Sequence, residues 1–154
     1  MPTKYRGSPA ETRALNTFIK LMRATNALGG NLARNLAAEA DLTMSQFAVL
    51  EALLHLGSMS QGDICGKLLL SGSNITTVID NLEKRDLVRR ERRRDDRRVV
   101  DVSLTAKGRQ LIETLFPAHA RRITNLLSAL SSKEQDQLAA LCRTLGLSIH
   151  EPAN

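Results

Sequence analysis

Aromatic residues are nearly missing from this sequence: no tryptophan, one tyrosine and three phenylalanines in 154 residues. Proteins that stack unpaired bases need several exposed rings, so single-strand binding of that kind is disfavoured. Cysteine is equally scarce. Cys65 and Cys142 stand far apart without metal-type spacing, which argues against a disulfide scaffold and gives no zinc site. His55, His119 and His150 are too few and too dispersed for a metal centre, so neither metal nor cofactor is expected. No apolar run approaches the ~18–20 residues of a membrane span, and Met1 to Ser8 carries no apolar stretch of signal-peptide length. A cytoplasmic protein with no membrane partner is the expectation. Glycine-rich phosphate loops, nucleophile elbows and paired carboxylates in an apolar setting are all missing, so an enzyme is not expected.

What is present is positive charge, unevenly placed. Twenty-two Lys and Arg face 16 Asp and Glu, a formal net charge of +6. Where that charge sits matters more than its total. Between Arg85 and Arg98 lie eight arginines against four acids, a net of +4 in about a tenth of the chain. The chain as a whole, 42% hydrophobic and 25% charged, is ordinary for a globular protein of one domain, 1–154.

Taken in order, residues 1–8 read as a flexible arm. From Pro9, Leu15, Phe18, Ile19, Met22, Leu28, Leu32 and Leu36 keep a helical stripe. Gly29-Gly30 interrupts it, so one long helix is expected that bends there or packs closely on another backbone. Thr43 with Gln46 matches a capping box, and Phe47, Leu50 and Leu54 follow at helical spacing. Gly57 suits a left-handed cap for this second helix. Ser60 and Asp63 start a short third helix with Ile64 and Leu68 inward, and Leu70-Ser71-Gly72-Ser73 reads as a turn.

The fourth helix places Ile75, Val78, Ile79 and Leu82 on one face. Its other face is Asn74, Thr76, Thr77, Asp80, Asn81 and Lys84. Solvated helix faces favour long charged residues of good propensity, whereas Ser, Thr and Asn suit base edges and phosphates. Val88 to Arg93 and Arg98 to Leu104 read as two strands around a polar tip, with Val100, Val102 and Leu104 alternating against Asp101 and Ser103. Thr105-Ala-Lys-Gly starts another helix. Leu111, Ile112, Leu115 and Phe116, then Ile123, Leu126, Leu127 and Leu130, continue it on either side of a possible kink at Pro117. Ser131 and Glu134 cap a last helix lined by Leu138, Leu141 and Leu145 and ending at Gly146, before a frayed His150-Glu-Pro-Ala-Asn. The stripes outside 42–108 exceed what one small winged domain can bury, and a two-fold dimer would absorb them. The fold class is therefore mainly α with a small β-hairpin wing: a winged helix-turn-helix over 42–108, with dimerisation helices at 9–40 and 109–149.

Asp96-Arg97-Arg98-Val99-Val100-Asp101-Val102-Ser103-Leu104-Thr105-Ala106-Lys107-Gly108 fits a D-x-R…V-x-L-T-x-x-G pattern without a gap. With Leu82-Glu83-Lys84-Arg85-Asp86-Leu87-Val88 and Leu42-Thr43-Met44-Ser45-Gln46-Phe47-Ala48-Val49-Leu50, it resembles the MarR family of bacterial winged helix-turn-helix transcription regulators over nearly the whole length. The resemblance implies a homodimer on a pseudo-palindromic double-stranded DNA operator, with half-sites about one turn apart. It implies a ligand-responsive repressor, with a small aromatic or phenolic effector bound between dimer helices and winged domain. Pocket residues stay unassigned apart from His55, at the end of the second helix, as a candidate. Arg98 resembles the wing-tip arginine of the minor groove, and Asp96 the carboxylate that orients it. Ser73, Asn74, Thr76, Thr77 and Asp80 fall where the family's recognition helix meets the major groove. Ser60, Gln61 and Ser71 sit at helix starts that would clamp phosphates, and Arg92, Arg93, Arg94 and Arg97 would add charge along the backbone.

Two other readings stay open. One is a winged-helix module that binds an acidic protein through its wing. The other is a thiol-based redox regulator on the same scaffold, although Cys65 and Cys142 both read as small buried hydrophobes. Internal pairing of the wing arginines with Glu91, Asp95 and Asp96 is the plain alternative to DNA contact.

Overall fold

The computed structural model describes residues 4–68, 72–93 and 95–150, with the backbone alone for Ser73 and His150. Its elements run α1 (Pro9–Ala40), α2 (Met44–Leu56), β1 (Met59–Ser60), α3 (Gln61–Leu68), α4 (Gly72–Lys84), β2 (Val88–Arg92), β3 (Val100–Leu104), α5 (Ala106–Leu127) and α6 (Ser132–His150). The fold is mainly helical with one small antiparallel sheet. The chain divides into two compact units, Met1–Ala118 and His119–Asn154, so α5 contributes to both and the division falls just past Pro117.

In the first unit, Ser8 caps α1 through a reciprocal box with Glu11, and Pro9 fills a position whose N–H would have no helical partner. The helix runs unbroken through Gly29-Gly30. A Cβ at Gly29 would meet nothing within 4 Å, so no second backbone among the described residues of the first unit packs there. Helix α2 opens on the expected box: Thr43 Oγ1 accepts from Gln46 N at 3.1 Å, and Gln46 Oε1 accepts from Thr43 N at 2.9 Å. Its end differs from expectation. Gly57 sits at φ 80, ψ −166, extended mirror-image backbone rather than a left-handed cap, because the chain leaves α2 straight into a strand.

That strand makes the sheet three-stranded, in the order β1-β3-β2, where the sequence suggested a two-stranded hairpin. Met59 pairs with Val102 and Ser60 with Asp101, while Val88 to Arg92 run against Leu104 to Val100. Val102 is buried under both neighbours, whereas Val100 and Leu104 are half-covered. Beneath lies one core: Leu36 from α1, Phe47, Leu50 and Leu53 from α2, Ile64 from α3, Ile75, Ile79 and Leu82 from α4, and Ile112 from α5. Each is almost wholly removed from water. Burial of such a side chain contributes roughly 1.5–3 kcal/mol.

In the second unit, Ser131 and Glu134 form the expected cap of α6, and Gln135 Nε2 donates to the carbonyls of Leu127 and Leu130. Helix α6 continues through Gly146 to His150 instead of stopping there. A lone glycine weakens a helix by only about 1 kcal/mol and does not terminate one. Cys142 is exposed, against the expectation of burial, since a two-helix unit has little interior to cover it; Cys65 is half-buried and packs against the core of the first unit. Leu69, the start of the expected turn at Leu70-Ser71, Arg94, and the terminal residues 1–3 and 151–154 lie outside the described residues.

Candidate nucleic-acid interface

Helix α4 has the two faces its sequence requires. Ile75, Val78, Ile79 and Leu82 are buried, while Asn74, Thr76, Thr77, Asn81 and Lys84 are exposed and Asp80 is half-exposed. Ser73 falls in the first turn of this helix rather than in a loop before it.

Two neighbours brace α4 on its polar side. From α3, Gln61 Nε2 donates to Thr76 Oγ1 at 2.8 Å. From β2, Arg90 reaches Asp80 Oδ1 at 2.6 Å and Glu83 Oε2 at 2.8 Å, and its Nη2 lies 3.4 Å from the Thr76 carbonyl. The Arg90 side chain is only 22% exposed, the most covered guanidinium among the described ion pairs. Asp80 is therefore an ion-pair partner as well as a residue of the polar face. Sequence reasoning missed Arg90 because a strand residue and a helix residue ten apart share no periodicity.

The wing tip is built by Asp96. Val99 N–H donates to the Asp96 carbonyl at 3.0 Å, closing a β-turn, and Asp96 Oδ1 accepts from the backbone N–H of Arg98 at 3.0 Å. The same oxygen takes the Arg98 Nε–H at 3.2 Å. First the Arg98 backbone bond and then its side chain hold the Asp96 carboxyl below its ordinary value. Arg98 is thus aimed yet 92% exposed.

The other arginines differ from one another. Arg93 is paired through two bonds with Asp101, at 2.7 and 3.0 Å, which raises the guanidinium pKa and lowers that of the carboxyl. Arg89 pairs with Glu91. Arg92 and Arg97 are exposed and have no ion-pair partner among the described residues. Among the described residues, internal pairing therefore accounts for Arg89, Arg90 and Arg93 and also ties Arg98 to Asp96, while Arg92, Arg97 and the projecting Arg98 remain the wing's outward charge. Arg85, counted with the wing by sequence, instead caps α1: it donates to the carbonyls of Asp41 and Ala40 at 2.6 and 2.9 Å.

At the start of α3, Ser60 Oγ accepts from Asp63 N at 3.1 Å and donates to Asp63 Oδ2 at 2.7 Å, so its hydroxyl already serves as a helix cap. Ser60, Gln61 and Gly62 line a hollow of about 360 Å³ with Arg98, Val99 and Val100. The start of α3 and the strand side of the wing tip thus share one open recess with Arg98 in its lining. His55 stands edge-on to Phe116, with ring centroids 4.9 Å apart. Among the described residues no cluster of His, Cys, Asp and Glu could hold a metal ion, and no helix is long and apolar enough to cross a membrane.

A helix pair whose second member shows a small polar face, flanked by a strand-built wing with a projecting arginine, defines a winged helix-turn-helix protein. The MarR family model matches residues 42–100. HTH-type transcriptional regulator MhqR of Bacillus subtilis is 34% identical over 135 residues, covering 88% of this chain and 92% of the relative. The chain belongs to the MarR family of DNA-binding, winged helix-turn-helix transcriptional regulators. HTH-type transcriptional repressor MdtR of B. subtilis is 31% identical over 104 residues, covering 68% of this chain and 67% of the relative. The structure of Bordetella bronchiseptica BpsR, whose DNA binding is regulated by 6-hydroxynicotinic acid, matches with TM-score 0.76 at 29% identity, covering 84% of this chain and 98% of that one.

Proposed function

We propose that this chain is a ligand-responsive repressor, acting as a homodimer on a pseudo-palindromic double-stranded operator. The observation that carries the reading is the pairing of an exposed Asn/Thr face on α4 with Arg98, held by Asp96 but open to solvent at the wing tip. The polar face enters the major groove through Ser73, Asn74, Thr76, Thr77 and Asp80. Arg98 reaches the adjacent minor groove, where a narrow groove concentrates negative potential. Ser60, Gln61 and Ser71 lie along the phosphates, and Arg92, Arg94 and Arg97 add charge that steers association and makes affinity salt-dependent. Arg93 contributes less, because Asp101 already neutralises it.

Residues 42–108 act as the DNA-binding region, and helices within 9–40 and 109–149 hold two copies together. Their apolar residues support this: Phe18 is 59% exposed in the single chain, and Leu141 and Ile149 are 68% and 69% exposed. The repressor role follows the likeness to MdtR, and a small aromatic effector follows the likeness to BpsR. Such an effector acts by population shift: it binds the dimer better in an arrangement whose recognition helices do not match the operator spacing. No catalytic step enters.

Selection of random duplex DNA by the purified protein tests the reading, followed by titration of the winner against salt. A two-fold motif with half-sites near one turn apart is the expected result. Arg98→Ala should then weaken binding more than Arg92→Ala or Arg97→Ala. Weak, sequence-blind binding to every duplex would discard the operator and favour an acidic protein as the wing's partner.

A further inference from the structure

Within the polar face of α4, one side chain has its chemistry already committed. The Thr76 hydroxyl donates to the Gly72 carbonyl at 3.0 Å, and the same oxygen accepts from Gln61 Nε2 at 2.8 Å. A hydroxyl has one proton and two lone pairs. Its proton is spent within the helix, and one lone pair on a neighbouring helix. Nevertheless Thr76 is exposed. Without breaking a bond it has no proton to donate, and what it can offer is its methyl and one remaining lone pair.

We propose that Thr76 reads the operator through its methyl group, against the C5-methyl of a thymine, and that Gln61 is the positioning residue that fixes it in that role. This rests on the operator reading above. A threonine can meet a base as a hydrogen-bonding hydroxyl, tolerant of several bases, or as an apolar contact to thymine. Gln61 decides between them. Its amide N–H occupies the hydroxyl from outside the helix, so turning that hydroxyl toward the groove would break two hydrogen bonds at once. The amide is in turn held by its place on α3, which opens where Ser60 caps Asp63. Arg90 approaches the carbonyl of the same residue from β2, so this turn of α4 is braced from both sides. Gln61, which the sequence placed among the phosphate clamps, acts on base recognition through Thr76.

The test pairs a protein change with a DNA change that each remove the same methyl. The operator comes from the random-duplex selection, and each thymine of a half-site is replaced in turn by deoxyuridine. One position should weaken wild-type binding about fourfold per half-site, the worth of a buried methyl. Thr76→Ser keeps a hydroxyl that can make both bonds and loses the methyl. It should bind the thymine operator about fourfold less tightly per half-site and lose nothing further on deoxyuridine at that position. Gln61→Met keeps the length but not the donor. It should broaden base preference at that one position and leave the rest of the motif unchanged, with unaltered thermal melting. Additive losses for Thr76→Ser and deoxyuridine, or an operator in which every thymine can be replaced without loss, overturn the inference while leaving the operator reading intact. A Gln61→Met variant that loses affinity equally for all sequences and keeps the wild-type base preference at that position overturns the positioning role and leaves Gln61 a phosphate contact only. If selection enriches no sequence, the operator reading fails and this inference fails with it.

Discussion

Gly108 lies directly over the backbone of Leu87: a Cβ added at the glycine would run into the Leu87 carbonyl oxygen. Three bonds surround that contact. Thr105 N donates to the Leu87 carbonyl at 3.1 Å, Thr105 Oγ1 to the Asp86 carbonyl at 2.7 Å, and Lys107 Nζ to the Arg85 carbonyl at 2.7 Å. Thr105 Oγ1 also caps α5 by accepting from Gly108 N at 3.0 Å. The Thr-Ala-Lys-Gly run therefore seals the start of α5 onto the segment between α4 and β2, and it needs glycine at its fourth position for clearance. Gly108→Ala should force two backbones apart and destabilise the first unit by roughly 1–3 kcal/mol. Urea unfolding measures this, and a variant as stable as wild type would show that the contact yields freely.

Arg85 offers a second stability test. Its guanidinium satisfies two carbonyls at the end of α1, where Asp41 adopts a left-handed φ of 51° and the helix has no basic residue in its last turn. Charged hydrogen bonds of this kind contribute about 1.5–3 kcal/mol each before screening. Arg85 is half-buried, so Arg85→Met should lower stability by about 1–2 kcal/mol in total. DNA affinity, measured where the variant is still folded, should fall less than for Arg98→Ala. An equal fall would place Arg85 on the DNA.

How far the sequence foretold these features depended on whether cause and effect lie close along the chain. The boxes at Thr43/Gln46 and Ser131/Glu134 are three-residue patterns, and both form. The buried stripe of α4 follows from helical geometry alone. The turn made by Asp96 and its hold on Arg98 span two residues, and the resemblance pointed to them. Arg85 could not be separated from the wing charge, because the carbonyls it satisfies are more than forty residues earlier. Strand β1 is two residues long and exists through its pairing with β3, so it has no period of its own to detect. Gln61 read as a phosphate clamp at a helix start until the fold placed Thr76 beside it.

The wing should also report its construction by titration. Asp96 and Asp101 both have lowered pKa values, Asp96 chiefly through the backbone N–H of Arg98 and Asp101 chiefly through the Arg93 side chain. A depressed carboxylate pKa contributes stability that is fully present above its unfolded value, about 3.9. That stability is lost as pH falls through the lower folded value. Wing structure should therefore be constant between about pH 5 and 8 and loosen only in acid below about 4. Carboxyl NMR should place the Asp96 midpoint below the ordinary aspartate value. In Arg98→Ala it should return only part of the way, because the larger cause is a backbone bond that alanine retains. A midpoint at the ordinary value in the wild type would mean that the turn is open in solution.

The apolar residues left outside the core bear on assembly. Phe18, Leu141 and Ile149 are more than half exposed in the single chain, and an isolated soluble unit rarely presents so many large side chains on regular helical spacing. If two copies cover them, the wild-type chain should sediment at twice its 16.9 kDa. Leu141→Asp with Ile149→Asp should shift it to single mass. The core around Phe47, Ile79 and Leu82 lies within the first unit, so its melting transition should survive the change. Operator binding should not. Joining two half-site contacts in one body can raise avidity by about 10²–10⁴ over either alone, and the charged variant should lose that gain while keeping its weak, salt-sensitive affinity for a single half-site. A wild type that sediments at single mass would remove the dimer, and with it the reason for a palindromic operator. A variant that becomes monomeric yet binds the full operator undiminished would show that each winged unit recognises its half-site alone.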